Sequence, residues 1–206
     1  AYLLEHEGEV TLVDAATRLD ADRISAALDS IGRGPTELDR ILLTHYDVDH
    51  VGSVGRFSTE TPIYIGRGDA GLLAGTEHPS GGSIKGLLQI VSAPFGSSVP
   101  MGRIQRIEDG DEVGGFVAHH APGHTPGHTI YVHEARSVAF LGDLVLERDG
   151  ALRPSPRFLC TDHRTLHESI EMAVERLPPF EVAAMGHGTP FKFGGRDRLD
   201  ELAATL

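Results

Sequence analysis

Two histidines and two aspartates fall within six consecutive positions in Thr44-His45-Tyr46-Asp47-Val48-Asp49-His50. Imidazole and carboxylate are the ligand types that hold Zn²⁺, Mn²⁺ or Fe²⁺, and neither packs well without a partner. The segment directly follows Arg40-Ile41-Leu42-Leu43, an apolar run that reads as a buried strand ending in a turn. Side chains two apart on an extended segment share a side, so His45 and Asp47 can converge on one point. Asp49 and His50 lie where the chain turns away, placed to face a second point close by. The chemistry this spacing supports is metal coordination.

The elements that must position these groups alternate as in a mixed α/β domain. Tyr2 to Glu5 and Thr11 to Asp14 read as a hairpin around Glu7-Gly8, and Ala21 to Ile31 as a helix that stops at Gly32 and Gly34. The Arg40 to Thr44 strand and the His/Asp cluster come next, with a short helix near Gly52 to Phe57 and a strand at Pro62 to Ile65. From Gly66 to Pro100 the pattern loosens, with 78–83 the most loop-like part; such an insertion is a site-covering loop or irregular surface. The second half predicts strands at Ile104 to Ile107, Phe116 to His120, Ile130 to His133, Val138 to Leu141 and Val182 to Met185. Two helices are expected there, one from about Asp162 to Leu177 with Asp162 as N-cap, the other after Gly195. Three strand ends carry polar residues beside glycine: Ala121-Pro122-Gly123-His124, Leu141-Gly142-Asp143 and Met185-Gly186-His187. A strand is a rigid post, and a ligand just beyond its end on a glycine-bearing turn can approach a metal without the backbone blocking the way.

Composition bounds the partners. A chain of 206 residues, 40% hydrophobic, can bury one sizeable core, and no linker-like stretch divides it, so a single domain over residues 1–206 is expected. The formal net charge of -12, with Lys85 and Lys192 the only lysines, repels nucleic acid and anionic membrane surfaces and leaves a small molecule as the expected substrate. The single cysteine, Cys160, rules out an intrachain disulfide, and a reducing cytoplasm is the simpler expectation for compartment. No apolar run is long enough to span a bilayer and no signal peptide is visible. The chain starts at Ala1 rather than Met, and Tyr2-Leu3-Leu4 reads as strand from the outset. That start fits a missing initial segment and leaves a removed signal peptide open. Oligomeric state is not legible.

Taken in order, Thr44 to His50, Ala121-Pro122-Gly123-His124-Thr125-Pro126-Gly127-His128, Gly142-Asp143 and Gly186-His187-Gly188 resemble the motifs of a metallo-β-lactamase-fold hydrolase. That superfamily includes glyoxalase II-like thioesterases and acyl-homoserine-lactone lactonases. The resemblance covers nearly the whole chain, and four motifs in succession are far more specific than any one alone. It implies a four-layer αββα sandwich with two divalent metal ions at one edge of the paired sheets. By position, His45, Asp47 and His124 would hold the first ion, Asp49, His50 and His187 the second, and Asp143 would bridge them. A hydroxide between the ions would be the nucleophile, since coordination lowers the pKa of water from roughly 15.7 toward about 7. Asp49 has a second, catalytic role open to it, orienting that hydroxide or shuttling its proton to the leaving group. His128 and Thr125 are expected as hydrogen-bonding support, Cys160 as an inert buried thiol, and Tyr46 as either pocket wall or core.

The departure from the family pattern is Asp47, where most members carry histidine. Three carboxylates and a hydroxide offset the charge of two divalent ions, so the centre would be neutral, whereas histidine at position 47 would leave it at plus one. A less positive centre is a weaker Lewis acid, which predicts a more alkaline activity optimum than an Asp47→His variant would show. The added hard oxygen moves preference from zinc toward manganese or iron. The alternative is that the short carboxylate falls short of the first metal and leaves that site weak or empty.

The leading expectation is a dinuclear metallohydrolase of a small ester, lactone, thioester or amide. Glyoxalase II activity itself is disfavoured because there is no room after His187 for the helical domain that holds glutathione. The tyrosine that lactonases commonly place after the bridging aspartate is absent, since Asp143 is followed by Leu144-Val145-Leu146-Glu147. Two other classes stay in view: a di-iron redox protein related to flavodiiron proteins, and a non-catalytic metal-binding scaffold. Substrate choice would rest on the loops at Gly66 to Pro100 and Glu147 to Thr161.

Overall fold

The computed structural model describes residues 1–57, 60–79, 84–92 and 99–206, with Ser92 described by its backbone alone. The chain divides into two compact units, Ala1–Ile107 and Glu108–Leu206.

In the first unit, strands β1 (Tyr2–His6), β2 (Glu9–Val13), β3 (Arg40–Leu43), β4 (Ile63–Gly66) and β5 (Ile104–Ile107) form one sheet in the order β1-β2-β3-β4-β5. β1 and β2 are the antiparallel hairpin expected, closed by Glu7 and Gly8 at φ 53° and 84°. Two consecutive left-handed residues give the tight turn whose twist matches that of its strands. The other three pairings are parallel, and their register places Leu12 beside Ile41, Ile41 beside Ile63, and Ile63 beside Ile104. Helices α1 (Ala21–Ser30) and α3 (Arg67–Ala74) give Ile24, Leu28, Ala70 and Leu73 to the same buried cluster as that row. Burying each such side chain is worth about 1.5–3 kcal/mol, which fixes the strand register because a slip of one residue would turn the whole row to the other face. The His/Asp cluster leaves β3 through a single-turn helix, α2 (Val48–Val51).

The loosened stretch after Gly66 is more regular than its sequence suggests. It contains α3 and a further helix, α4 (Ile84–Ser92), while 80–83 lie outside the described residues. α4 reads Ile-Lys-Gly-Leu-Leu-Gln-Ile-Val-Ser, with Lys85 and Gln89 on one inward face and Ile84, Leu87 and Val91 exposed, the reverse of the polarity by which a surface helix is recognised.

In the second unit, β6 (Glu112–Val113), β7 (Phe116–His120), β8 (Thr129–His133), β9 (Val138–Gly142) and β12 (Val182–Met185) form a sheet in the order β12-β9-β8-β7-β6. Only β12 and β9 pair in parallel. Strands β10 (Val145–Arg148) and β11 (Ala151–Pro154) make a separate hairpin that overlaps the start of the stretch expected as a loop, Glu147 to Thr161. Helices α5 (His163–Arg176) and α6 (Gly195–Ala203) pack Leu166, Ile170, Ala173, Leu199 and Leu202 into one cluster with Ile130, Val132, Leu141, Ala183 and Met185. Asp162 is the N-cap of α5, accepting hydrogen bonds from the backbone N–H of Arg164 at 3.0 Å and Thr165 at 3.1 Å. Among the described residues, no helix is long and apolar enough to cross a membrane.

Candidate functional site

Every residue expected as a ligand lies at or just beyond a strand end. In the first unit the end of β3 delivers Thr44 and His45, an extended Asp47 (φ −138°, ψ 153°) follows, and α2 carries Asp49 and His50. His45 Nε2 lies 3.4 Å from Asp47 Oδ2, and the rings of His45 and His50 are tilted by 47° with centroids 4.0 Å apart. His45 with His50, His45 with Asp47, and Asp49 with His50 each offer ligand atoms within 4.8 Å of one another.

Behind these groups runs a buried network centred on Asp14, a residue the sequence reading left as the end of a strand. Asp14 Oδ1 accepts from the Thr44 backbone N–H at 2.8 Å, and Oδ2 lies 2.9 Å from His50 Nδ1. The Thr44 hydroxyl is 2.9 Å from Asp14 Oδ2 and 3.0 Å from His45 Nδ1. One proton arrangement satisfies all these contacts: His50 Nδ1–H donates to Asp14, the Thr44 hydroxyl donates to Asp14, and His45 Nδ1–H donates to Thr44. Both imidazoles therefore present Nε2 as the basic nitrogen, the tautomer that a metal ligand needs. Burial pushes the Asp14 carboxyl up, but the electrostatic attraction and hydrogen bond of the His50 N–H side, with the attraction of His45, outweigh it and hold the carboxyl below its ordinary value. Asp14 adopts φ 57°, a left-handed conformation that aspartate tolerates better than most residues.

Asp47 is held from α4. Lys85 Nζ contacts Asp47 Oδ2, and Gln89 Nε2 donates to Asp47 Oδ1 at 2.9 Å and to the Tyr46 carbonyl at 3.0 Å. Lys85 and Gln89 are four apart, so one helix face presents both. The buried Asp69 carboxylate fixes the same segment by accepting from the Tyr46 backbone N–H at 2.8 Å. The Tyr46 side chain packs against the apolar cluster of its unit, and burial, then the charge of Asp47, push its phenol up.

In the second unit three strand ends meet at one carboxylate. Asp143, just past β9, has its Oδ2 3.6 Å from His124 Nε2 and 3.3 Å from His187 Nε2. His187 follows β12 and is half exposed, whereas His124 and Asp143 are buried. The main chain of Asp143 is pinned on both sides. Its N–H donates to His128 Nε2 at 3.1 Å and its carbonyl accepts from Ser155 Oγ at 2.6 Å. His128 thus lies buried beneath the carboxylate as hydrogen-bonding support. Gly123, at φ +130°, lets the turn before His124 pass against α5, where a Cβ would meet the Leu166 backbone nitrogen at 2.3 Å. Cys160 is buried, its thiol donating to the carbonyl of Pro156 at 3.3 Å, an inert setting.

The model of the metallo-β-lactamase superfamily matches residues 1–187. The chain belongs to that superfamily. Among curated proteins it is 29% identical to YobT, an uncharacterized protein of Bacillus subtilis strain 168, across 91% of this chain and 82% of that one. The crystal structure of the metallo-β-lactamase family protein TTHA1429 from Thermus thermophilus superposes with a TM-score of 0.75 at 25% identity, covering 99% of this chain and 73% of that one. TTHA1623 in a di-iron-bound form gives 0.69 at 25% identity, covering 96% and 91%. The B3 metallo-β-lactamase BLEG-1 gives 0.66 at 27% identity, covering 94% and 88%. The fold class is accordingly the α/β sandwich of the metallo-β-lactamase superfamily. The donor chemistry of both units fits divalent metal: imidazoles fixed in the ligating tautomer beside carboxylates in one unit, and two imidazoles on a single carboxylate oxygen in the other.

Sequence reasoning missed Asp14, Asp69, Lys85 and Gln89. Asp14 carried a faint signal, a carboxylate at the end of a strand that would pair beside β3. Lys85 and Gln89 carried none beyond their spacing of four.

Proposed function

We propose that this chain is a metal-dependent hydrolase of a small ester, lactone, thioester or amide. In this reading His45, Asp47, Asp49 and His50 of the first unit, and His124, Asp143 and His187 of the second, would be the ligands of two divalent ions. The observation that carries the reading is the Asp14–Thr44 network, which fixes the tautomers of His45 and His50 from behind. A merely structural histidine does not need that arrangement. Bound metal would supply the Lewis acidity that activates water near neutral pH and polarises the scissile carbonyl. Asp49 orients the attacking water and carries its proton toward the leaving group. Asp143, pinned through its main chain by His128 and Ser155, keeps its carboxylate fixed while charge develops beside it. The net charge of -12 favours a small substrate over nucleic acid.

Iron is the metal favoured second to zinc, for two reasons: Asp47 adds a hard oxygen, and one of the similar structures is a di-iron-bound form. A di-iron redox role would show as a visible absorption band in the purified protein. The test of the hydrolase reading is elemental analysis of protein purified without chelator, followed by a panel of lactones, thioesters, β-lactams and phosphodiesters with each metal. One to two ions per chain and turnover of an ester, lactone, thioester or amide are expected. Well below one ion per chain in a folded, inactive protein would make it a scaffold.

A further inference from the structure

Lys85 is one of two lysines in the chain, and its side chain is almost fully buried, 4% exposed. A buried ammonium is costly unless a carboxylate pairs with it, and the carboxylate beside this one is Asp47, itself expected as a metal ligand. Both oxygens of Asp47 are engaged from α4, Oδ2 by Lys85 and Oδ1 by Gln89, and the same Oδ2 is the atom 3.4 Å from His45 Nε2. The face on which His45 and Asp47 would share a divalent ion is thus already served by a fixed cation. The Asp49 and His50 pair is backed by charge of the other sign. Asp14 Oδ2 stands 2.9 Å from His50 Nδ1, and a buried carboxylate there favours a cation on the far side of the imidazole.

We propose that Lys85 is a built-in competitor for the metal at His45 and Asp47. In the metal-poor protein its ammonium compensates the Asp47 carboxylate, and a divalent ion entering that pair has to displace it against like-charge repulsion. At Asp49 and His50 the Asp14 carboxylate assists the incoming ion, so the two groups fill in order, that group first. The inference rests on the metal-site reading above and adds the order of filling and the residue that sets it.

The test is calorimetric titration of chelator-stripped protein with Zn²⁺ and, separately, Mn²⁺, without substrate. Wild type should show one tight ion and a second weaker by about tenfold or more, the scale of a coupling between close charges. Lys85→Met should tighten the second step by about tenfold and leave the first unchanged. Lys85→Arg, which keeps the charge, should retain the weak second step and serves as a check on folding, read by circular dichroism. Uptake of both ions by wild type in one step would overturn the competition, as would a Lys85→Met protein whose second step is unchanged or weaker while Lys85→Arg folds normally. Uptake of no ion by any of the three would overturn the hydrolase reading and this inference together.

Discussion

Asp14 decides which nitrogen of His50 carries the proton, and through Thr44 it does the same for His45. Replacing it with asparagine keeps one acceptor for the Thr44 backbone N–H but turns an amide toward two donors. Asp14→Asn should therefore weaken metal binding about 10- to 100-fold with the fold retained, measured by competition with a chromophoric chelator. Unchanged affinity would remove the network from the site. In the metal-poor protein Asp47 together with Lys85 carries the same net charge as a neutral histidine, and the carboxylate counts alone once an ion has displaced the ammonium. His45, Asp47, Asp49 and His50 were legible because they are contiguous and chemically unusual together. Lys85 lies 38 positions from Asp47, and a lysine in an apolar stretch announces nothing until a helix is seen to turn it inward.

Elements place these side chains, and two can be tested directly. The turn before His124 requires glycine at position 123, because an added Cβ would lie 2.3 Å from the Leu166 nitrogen and 2.4 Å from its Cα, both main-chain atoms of α5. Gly123→Ala should cost about 3 kcal/mol, the upper part of the range for overpacking, read as a lowered urea midpoint. It should also loosen metal binding through His124, whereas the same substitution at exposed Gly8, where a Cβ meets nothing within 4 Å, should not. At the start of α5, the Thr165 backbone N–H, opposed by burial and aided by the Arg164 N–H, holds the Asp162 carboxyl below its ordinary value. A lowered folded-state pKa means the contribution is present above the ordinary carboxylate pKa and lost as pH falls through the lowered one. Asp162→Ala should thus lower the denaturation midpoint at pH 7, and the gap from wild type should close in strong acid; a gap independent of pH would assign the cap another origin. Most strands and this cap were legible from alternation and spacing. α3, α4 and the β10–β11 hairpin were not: α4 turns its polar face inward and leaves Ile84, Leu87 and Val91 exposed, and β11, Ala-Leu-Arg-Pro, has no β-branched or aromatic residue.

For the molecule as a whole, metal that binds only the folded chain must stabilise it. With free metal about 100-fold above its Kd, the gain is about 2.7 kcal/mol, which for a chain of this size raises the melting temperature by about 5–10 °C over chelator-treated protein. Calorimetry with and without chelator checks this, and identical midpoints would count against a metal shared among ligands far apart in sequence. Superfamily and candidate ligands could be read from the chain alone, because four motifs keep their order and each candidate sits close beyond an apolar strand that must be buried. What stands behind those ligands was settled by the fold. Asp14 reaches His50 across the parallel pairing of β2 with β3, and Lys85 reaches Asp47 from a helix that turns its polar face inward. Such contacts depend on register and packing between segments 36 and 38 residues apart. Register and packing are set by the whole buried row of Leu12, Ile41, Ile63 and Ile104 rather than by any local run of residues.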